Sequence, residues 1–365
     1  MLLINNEQVK ALLTPRMTRE SLQTAYEDLA RGDAVCRPRI DIRIPTAHPD
    51  QVYQWGTMEG GSIRGYFAIR MKSDVMVEQA YNGVRTQEKF AKQPGLYCGL
   101  ILLTSIETAA PLAFINDGHL QHMRVAADSA IGTDIMARHG PLKMGLLGSG
   151  EMARAHVEAL REVRDIRYIK VYSPTPAHRL RFANEMHKRF AIDIIVCSTA
   201  REVYADADLL VACTDSVVPV IRDDWLEPGM HVISIGGRPD PAADARFDVV
   251  LRLGVSPAPV GRPDLGTADE YLGYIAQPDH PVWQQVKGGK PARALKARGT
   301  EVMYADVLAG RAMGRSRSDQ ITYSERGNIQ GAQFYAIAGA VYEAAIKSGK
   351  TYEIPTEWFL QDIRD

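Results

Sequence analysis

"MGLLGSGEMARAHVEAL", residues 144–160, decides the fold. It reads as a strand running into a glycine turn and then a helix. Gly148-x-Gly150-x-x-Ala153 has the G-x-G-x-x-G/A form. The first glycine makes the tight turn, and the second lets the backbone approach a pyrophosphate. The small third residue lets helix and strand pack closely. The helix start then offers free N–H groups and a partial positive charge. Gly148, Ser149, Gly150, Glu151 and Met152 are therefore the candidate cradle of a dinucleotide. Such a turn alone is a weak signal, because glycine turns also join strands to helices with no ligand.

The residues downstream strengthen it. "IRYIKVYS" predicts a strand and "PAHRLRFANEMHKRF" a helix. "IDIIVC", "DLLVACT", "MHVISIGG" and "DVVLRL" predict further strands. This short β-α-β rhythm means a parallel, doubly wound sheet. Upstream the rhythm differs. "TRESLQTAYEDLARGD" predicts an amphipathic helix capped by Thr18 and ended by Gly32. "RIDIRIP" alternates strictly, as a strand with one buried face does. "IRGYFAIRMK", "YCGLILLTSIE" and "PLAFIN" are further strands. A helical stretch runs from about Leu120 to Arg138. After "ADVLAGRAMGR" come a strand, "QITYS", and a final helix, "GAQFYAIAGAVYEAAIKSG". The predicted architecture is α/β. A Rossmann-type domain, residues 130–318, is inserted into a discontinuous α+β domain made of 1–129 and 319–365.

A chain of 365 residues suits this scheme, at roughly 150 residues per domain. Hydrophobic residues make up 45% and charged residues 24%, ample for a sizeable core. A net charge of −1 gives no reason to expect a nucleic-acid or acidic-membrane partner. No run of 18 apolar residues predicts a membrane span. The N-terminal "MLLINNEQVK" does not read as a signal peptide. Cys36, Cys98, Cys197 and Cys213 are widely spaced and form no C-x-x-C, which predicts free thiols in a reducing, cytoplasmic setting.

Cofactor choice depends on the end of the second strand. Asp or Glu there bonds the ribose hydroxyls of NAD. Here "VYSPTPAHR" places Ser173 at that point, with Thr175, His178 and Arg179 nearby. This favours NADP(H), with NAD(H) as the alternative. Thr214 and Ser216, at the C-terminal end of another predicted strand, are candidate cofactor contacts. His119 and His122 are three apart, but no third ligand is visible, so no metal site is expected. Gly310, Gly314 and Arg315 are expected to shape the chain's return to the other domain.

Five stretches read together: "HMRVAADSA", "GLLGSGEMARAH", "ACTDSVVPV", "EPGMHVISIGG" and "AGRAMGRSRSDQIT". Their order and spacing resemble the ornithine cyclodeaminase / mu-crystallin family over about residues 36–347. The resemblance implies a Rossmann domain inserted in a substrate domain, and a homodimer. It implies a cyclodeaminase, an alanine dehydrogenase, or a reductase of cyclic or simple imines. It also implies substrate-carboxylate cations: Arg124 in "MRVAA", Arg39 after Pro38, and Arg70 or Lys72 in "AIRMKSD". Those last two lie two apart and so share a strand face. Three cations on separate elements around one pocket suit a carboxylate.

Two departures turn the expectation away from ornithine cyclisation. Where cyclodeaminases carry an acid in the strand-end motif, this chain reads "IGGRPD", with Arg238 and then Asp240. Where they carry a Glu in the early second-strand motif, Gly56 stands. The expected activity is NAD(P)H-dependent reduction of a 2-imino acid, with hydride passing between nicotinamide and the substrate α-carbon. Arg124, Lys72 and Asp240 are the candidate catalytic residues, with Asp240 as proton donor. The alternatives are a cyclodeaminase-type lyase that uses bound NAD transiently and a non-catalytic NADPH-binding protein.

Overall fold

The computed structural model describes residues 1–81, 83–266, 271–285 and 299–363. Two sheets organise them. The first is wholly parallel and is built around β9 (Leu142–Leu147), an apolar strand buried almost throughout. Beside it lie β10 (Ile166–Tyr172) and β11 (Asp193–Val196) on one side. On the other lie β12 (Leu209–Ala212), β13 (His231–Ser234), β17 (Thr322–Glu325), β14 (Val249–Arg252) and β16 (Thr300–Met303), in that order. Helices α4 (Glu151–Val163) and α5 (Pro176–Phe190) are the crossovers between β9, β10 and β11. α4 buries Ala153, Val157 and Leu160 on one stripe, as the i, i+4, i+7 spacing dictates. Separate apolar clusters fill both sides of this sheet, which its near-continuous hydrophobic strands require.

The second sheet is mixed. Its antiparallel core runs β3 (Arg39–Pro45), β4 (Gln51–Ser62), β5 (Tyr66–Tyr81), β7 (Cys98–Ser105) and β8 (Pro111–Asn116). β1 (Leu2–Ile4) joins β8 in parallel, and β18 (Tyr352–Glu353) closes that edge against β1. β2 (Ala34–Cys36) pairs with β4, and β6 (Val84–Phe90) pairs with β5. β15 (Tyr271–Ile275) lies parallel to β3 at the other edge.

Three helices cover the inner face of this sheet or bridge it to the other one. α2 (Pro15–Arg31) follows the short α1 (Asn6–Leu12). Its cap is Thr14 and not the expected Thr18, because Pro15 at the first position starts the helix a turn earlier. The Thr18 hydroxyl instead donates to the Thr14 carbonyl at 2.7 Å. Gly32, at φ 80°, ends the helix as expected. α3 (Gly118–Met136) is buried on nearly all sides and packs on α4 and α2. The short helices α6 (Ala200–Tyr204), α7 (Pro241–Ala245), α8 (Val282–Gln285) and α9 (Tyr304–Leu308) precede α10 (Gln330–Ser348). α10 lies on β4 and β5 at backbone contact: a Cβ on Gly331 would stand 1.9 Å from the Glu59 carbonyl oxygen.

The boundary expected at 318/319 cuts off one strand of the parallel sheet. β17 belongs to the segment assigned to the substrate domain, yet it pairs with β13 and β14. β15, inside the block assigned to the cofactor domain, pairs with β3 of the mixed sheet. Apolar pattern predicts that a segment is a strand, but its partners are chosen by packing at long range. The chain therefore crosses between the two sheets more often than the sequence suggested.

Candidate functional site

Cross-strand register builds the site on the inner face of the mixed sheet. Asp41, Gly56, Lys72 and Gly99 form one row, and Arg43, Gln54 and Asp74 the next. Met58 stands opposite Arg70, and Lys89 opposite Met76. Alternation puts all of these on one face. The glycines in the row leave space that charged groups fill. A Cβ on Gly56 would meet Asp41 Oδ1 at 2.8 Å, and one on Gly99 would meet Asp117 Oδ1 at 2.0 Å.

A cavity of about 120 Å³ opens over this face. The mixed sheet contributes Arg39, Asp41, Arg43, Gln54, Met58, Gln87, Lys89 and Tyr271. The other wall is Arg124 from α3, Arg326 just after β17, and Gln330 at the start of α10. Among the described residues, five basic side chains and one acid, Asp41, thus line the cavity.

Arg124 is the most constrained of them. It is 2% exposed, and its hydrogen bonds go to amide oxygens only. Nη1 donates to Gln333 Oε1 at 2.5 Å, and Nη2 and Nε donate to Gln121 Oε1 at 3.0 and 3.2 Å. Its guanidinium carbon lies 5.1 Å from the centroid of the Phe334 ring. Burial, with Arg326 adding, pushes its pKa down to about 9. Behind it Gln333 Nε2 donates to Asp128 Oδ2 at 2.6 Å and to the Tyr26 hydroxyl at 2.8 Å. That hydroxyl donates to Asp128 in turn. Burial raises Asp128 to about 6, and the neighbouring Arg326 and Arg124 oppose the rise. Among the described residues Arg326 makes no hydrogen bond or ion pair. The buried Gln330 Oε1 also lacks a partner.

The remaining predicted cations behave differently. Arg39 lines the cavity and donates to Asp41 Oδ1 at 2.6 Å. Arg70 and Lys72 share a face as expected, but each is buried with an acid of its own. Arg70 Nε donates to Asp117 Oδ2 at 2.6 Å. Lys72 pairs with Asp74, and burial lowers its pKa, with Arg39 and Arg70 adding to the effect. Neither is among the residues that line the cavity.

The glycine turn fits a dinucleotide. Gly148 has φ 113°, and a Cβ there would stand 2.0 Å from the Cys213 carbonyl oxygen. Only glycine satisfies both conditions. Gly150 caps α4 without a side-chain bond, and a Cβ there would meet nothing within 4 Å. No side chain caps the first turn, and the missing Cβ leaves room for a ligand to approach it. Ser149 Oγ donates to Ser173 Oγ at 2.9 Å across the ends of β9 and β10. Arg179 donates to the Ser173 carbonyl at 3.0 Å, with its guanidinium 5.2 Å from the Tyr172 ring centroid. Thr175 is the N-cap residue of α5. Glu151 is largely exposed, while Met152 packs against the apolar cluster behind the turn. Arg154, which the sequence did not single out, donates to the Ser149 carbonyl at 2.8 Å and pairs with Glu185.

Thr214 and Ser216 bind their own loop. Thr214 Oγ1 accepts from Ser216 N at 3.2 Å, and Ser216 Oγ donates to the Val218 carbonyl at 2.9 Å. That loop bridges to β6, where Val217 N donates to the Arg85 carbonyl at 3.2 Å. It carries Asp215, whose pKa burial raises, with Lys89 and Lys72 opposing. Arg315 donates to the carbonyls of Met136 and Gln320, which makes it a structural tie. Among the described residues no group of three His, Cys, Asp or Glu could hold a metal ion.

Asp240 does not stand at the cavity. It caps α7, with Oδ1 accepting from Ala243 N at 2.7 Å, and it pairs with Arg222 at 3.4 Å. Its role as proton donor is corrected by this placement. "DP" at a helix start is itself a capping signal.

The family profile described as "Ornithine cyclodeaminase/mu-crystallin family" matches residues 71–348, and the chain belongs to that family. A Delta(1)-pyrroline-2-carboxylate reductase of Bacillus thuringiensis subsp. konkukian is 26% identical over 251 residues, 69% of this chain and 72% of the relative. An alanine dehydrogenase of Archaeoglobus fulgidus is 25% identical over 354 residues, 94% and 95% of the two chains. The Delta(1)-pyrroline-2-carboxylate reductase of Thermococcus litoralis, solved with NADH and L-proline, shares the fold. It superposes with a TM-score of 0.72 at 22% identity, over 97% of this chain and 100% of that one.

If Asp240 only caps a helix, Asp240→Ala costs about 0.5–2 kcal/mol of stability and leaves turnover alone. Chemical denaturation and steady-state kinetics on one preparation check this. A tenfold loss of kcat/KM in a folded variant would return Asp240 to the reaction.

Proposed function

We propose that this chain is an NAD(P)H-dependent reductase of 2-imino acids, of the imine-reductase or amino-acid-dehydrogenase kind. One observation carries this: Arg124 is a buried guanidinium hydrogen-bonded only to amides, and it stands beside Arg326, which makes no hydrogen bond or ion pair among the described residues and shares only the nearby charge of Asp128. Two such cations at the wall of one cavity suit a substrate carboxylate. The relatives reported above reduce or form C–N bonds next to a carboxylate, in accord with their names.

The cofactor, when bound, supplies the hydride. The glycine turn, Gly148 to Met152, and the start of α4 would hold its pyrophosphate, with Thr214 and Ser216 at the next strand end. Ser149, Ser173, Thr175 and Arg179 would surround the adenosine ribose. No carboxylate stands at Ser173 to repel a 2′-phosphate, which favours NADP(H). Arg124 and Arg326 fix the substrate carboxylate, with Arg39 at the opposite wall. Gln330 Oε1 is placed to accept an N–H from the substrate nitrogen. Lys72 is a buried ammonium made more acidic by its surroundings. It stays paired with Asp74 behind the cavity lining, and with Arg70 it holds the electrostatic frame there. An ornithine-cyclising lyase has less support, because a second ammonium would enter a cavity wall that already carries five basic groups.

The outer face of the mixed sheet supports a homodimer. Ile42, Ile44, Leu100, Leu272 and Tyr274 lie on it, each 38–58% exposed. A contiguous apolar strand face of this kind is covered by a partner in a stable assembly. Sedimentation velocity should give about twice the chain mass of 40.4 kDa. A monomer at micromolar concentration would refute the dimer. Free cysteines are consistent with a cytoplasmic setting.

Arg124→Ala should lower kcat/KM for the imino acid at least tenfold, since a lost charge-assisted pair is worth roughly 1.5–3 kcal/mol. Unchanged kinetics in a folded variant would remove Arg124 from the site. For the cofactor, NADPH should bind more tightly than NADH, and Ser173→Asp should reverse the order. Nicotinamide fluorescence titration measures both. Equal affinities in the wild-type protein would sink the NADP preference.

A further inference from the structure

We propose that the substrate carries a second anionic group, so that the preferred 2-imino acid is a dicarboxylate. The inference rests on the reductase reading above and narrows its substrate class. Arg124 and Arg326, on the α3 and α10 side, suffice for one carboxylate. Opposite them Arg43 and Lys89 reach the same cavity from β3 and β6. Among the described residues that line the cavity the one acid is Asp41, and it is already engaged. Arg39 Nε donates to it at 2.6 Å, while Arg43 Nη2 is 3.8 Å away. Arg43 Nε donates to a neutral acceptor, Gln54 Oε1, at 3.0 Å. Its guanidinium carbon lies over the Tyr271 ring, 5.6 Å from the centroid, and both residues line the cavity.

The rest of the wall points the same way. Besides the charged groups it offers three glutamines, Met58 and Tyr271. An apolar side chain would find little apolar surface to bury against. It would also strip water from cations without replacing it. A second carboxylate would instead take charge-assisted hydrogen bonds from Arg43 and Lys89. It would relieve the like-charge repulsion across the cavity. Gln54, held by Arg43, and Gln87 would offer amide N–H donors beside it.

The test pairs turnover with binding. Turnover is measured with NADPH and with NADH, ammonia, and 2-oxo acids matched in length. These are 2-oxobutanedioate against 2-oxobutanoate and 2-oxopentanedioate against 2-oxopentanoate. Binding of butanedioate, pentanedioate and their monoacid counterparts to the protein with oxidised cofactor is measured by calorimetry. We expect a dicarboxylate to exceed its monoacid at least tenfold in kcat/KM and in affinity. Arg43→Gln and Lys89→Gln should each shrink that ratio at least fivefold. Monoacids that match or beat dicarboxylates in binding overturn the proposal, whatever the turnover. So does a ratio that survives both substitutions. Preferential dicarboxylate binding that the variants weaken, with no imine reduced, supports the second anion site and refutes the reductase reading instead.

Discussion

A guanidinium buried at 2% exposure, with no carboxylate in hydrogen-bond reach, is the constraint around which this molecule is arranged. Removing an ion from water costs several kcal/mol even after the protein relaxes. Arg124 recovers part of that from two amide oxygens and part from the face of Phe334. Gln333 relays the rest of the compensation from Asp128 and Tyr26. These groups come from three helices: Tyr26 from α2, Arg124 and Asp128 from α3, Gln333 and Phe334 from α10. The network therefore fixes how the three helices sit together. An arrangement that leaves a cation short of negative charge is one that an anion completes.

The two sheets bring that cation to the side of the glycine turn. α3 leaves the mixed sheet after β8, packs on α4 just beyond the glycine turn, and feeds β9. Ser129 on α3 donates to His156 on α4 at 2.9 Å, and His156 Nδ1 donates to the Met152 carbonyl at 2.7 Å. Burial lowers His156 to about 4, so the ring stays neutral and acts as a fixed strut between the two helices. The same short stretch of chain thus carries Arg124 at one end and locks against the cofactor helix at the other. β17 adds the second crossing, entering the parallel sheet and delivering Arg326 and Gln330 at the ligand-binding edge.

Legibility followed the physical range of each feature. The glycine turn was readable because a positive φ at Gly148 and an open N-cap at Gly150 are local demands on the backbone. Arg39 and Arg124 were readable because alternation and a shared motif pointed to them. Arg326 and Gln330 were not, because their relevance depends on β17 joining the parallel sheet rather than the mixed one. With that pairing known, the rule that ligands sit beyond strand C-termini would have pointed to Arg326. Arg70 and Lys72 share a face as expected, but of the acids that occupy them Asp74 is two residues from Lys72 and Asp117 is 47 residues from Arg70, beyond β8. Asp240 was misread because a capping aspartate and a catalytic one look alike until their hydrogen bonds are known.

The pattern of acids on the inner face separates scaffold from binding groups. Arg70 has Asp117, Lys72 has Asp74, and Arg39 has Asp41. Buried pairs of this kind contribute little net stability against an apolar core, because desolvation offsets the attraction. Their effect is geometric: Arg39 and Asp41 fill the space left by Gly56, and Asp117, the partner of Arg70, fills the space left by Gly99. These fixed pairs leave the face nearly neutral beneath the cavity. Against that neutral floor the cations without a hydrogen-bonded acid, Arg124 and Arg326, and the partly shared Arg43 stand out as the groups whose charge reaches a ligand. Since Coulomb attraction strengthens as water is excluded, closing the cleft around an anionic substrate would tighten these contacts while leaving the internal pairs unchanged. Any selectivity for charge on the substrate would then follow from which cations were left without an acid.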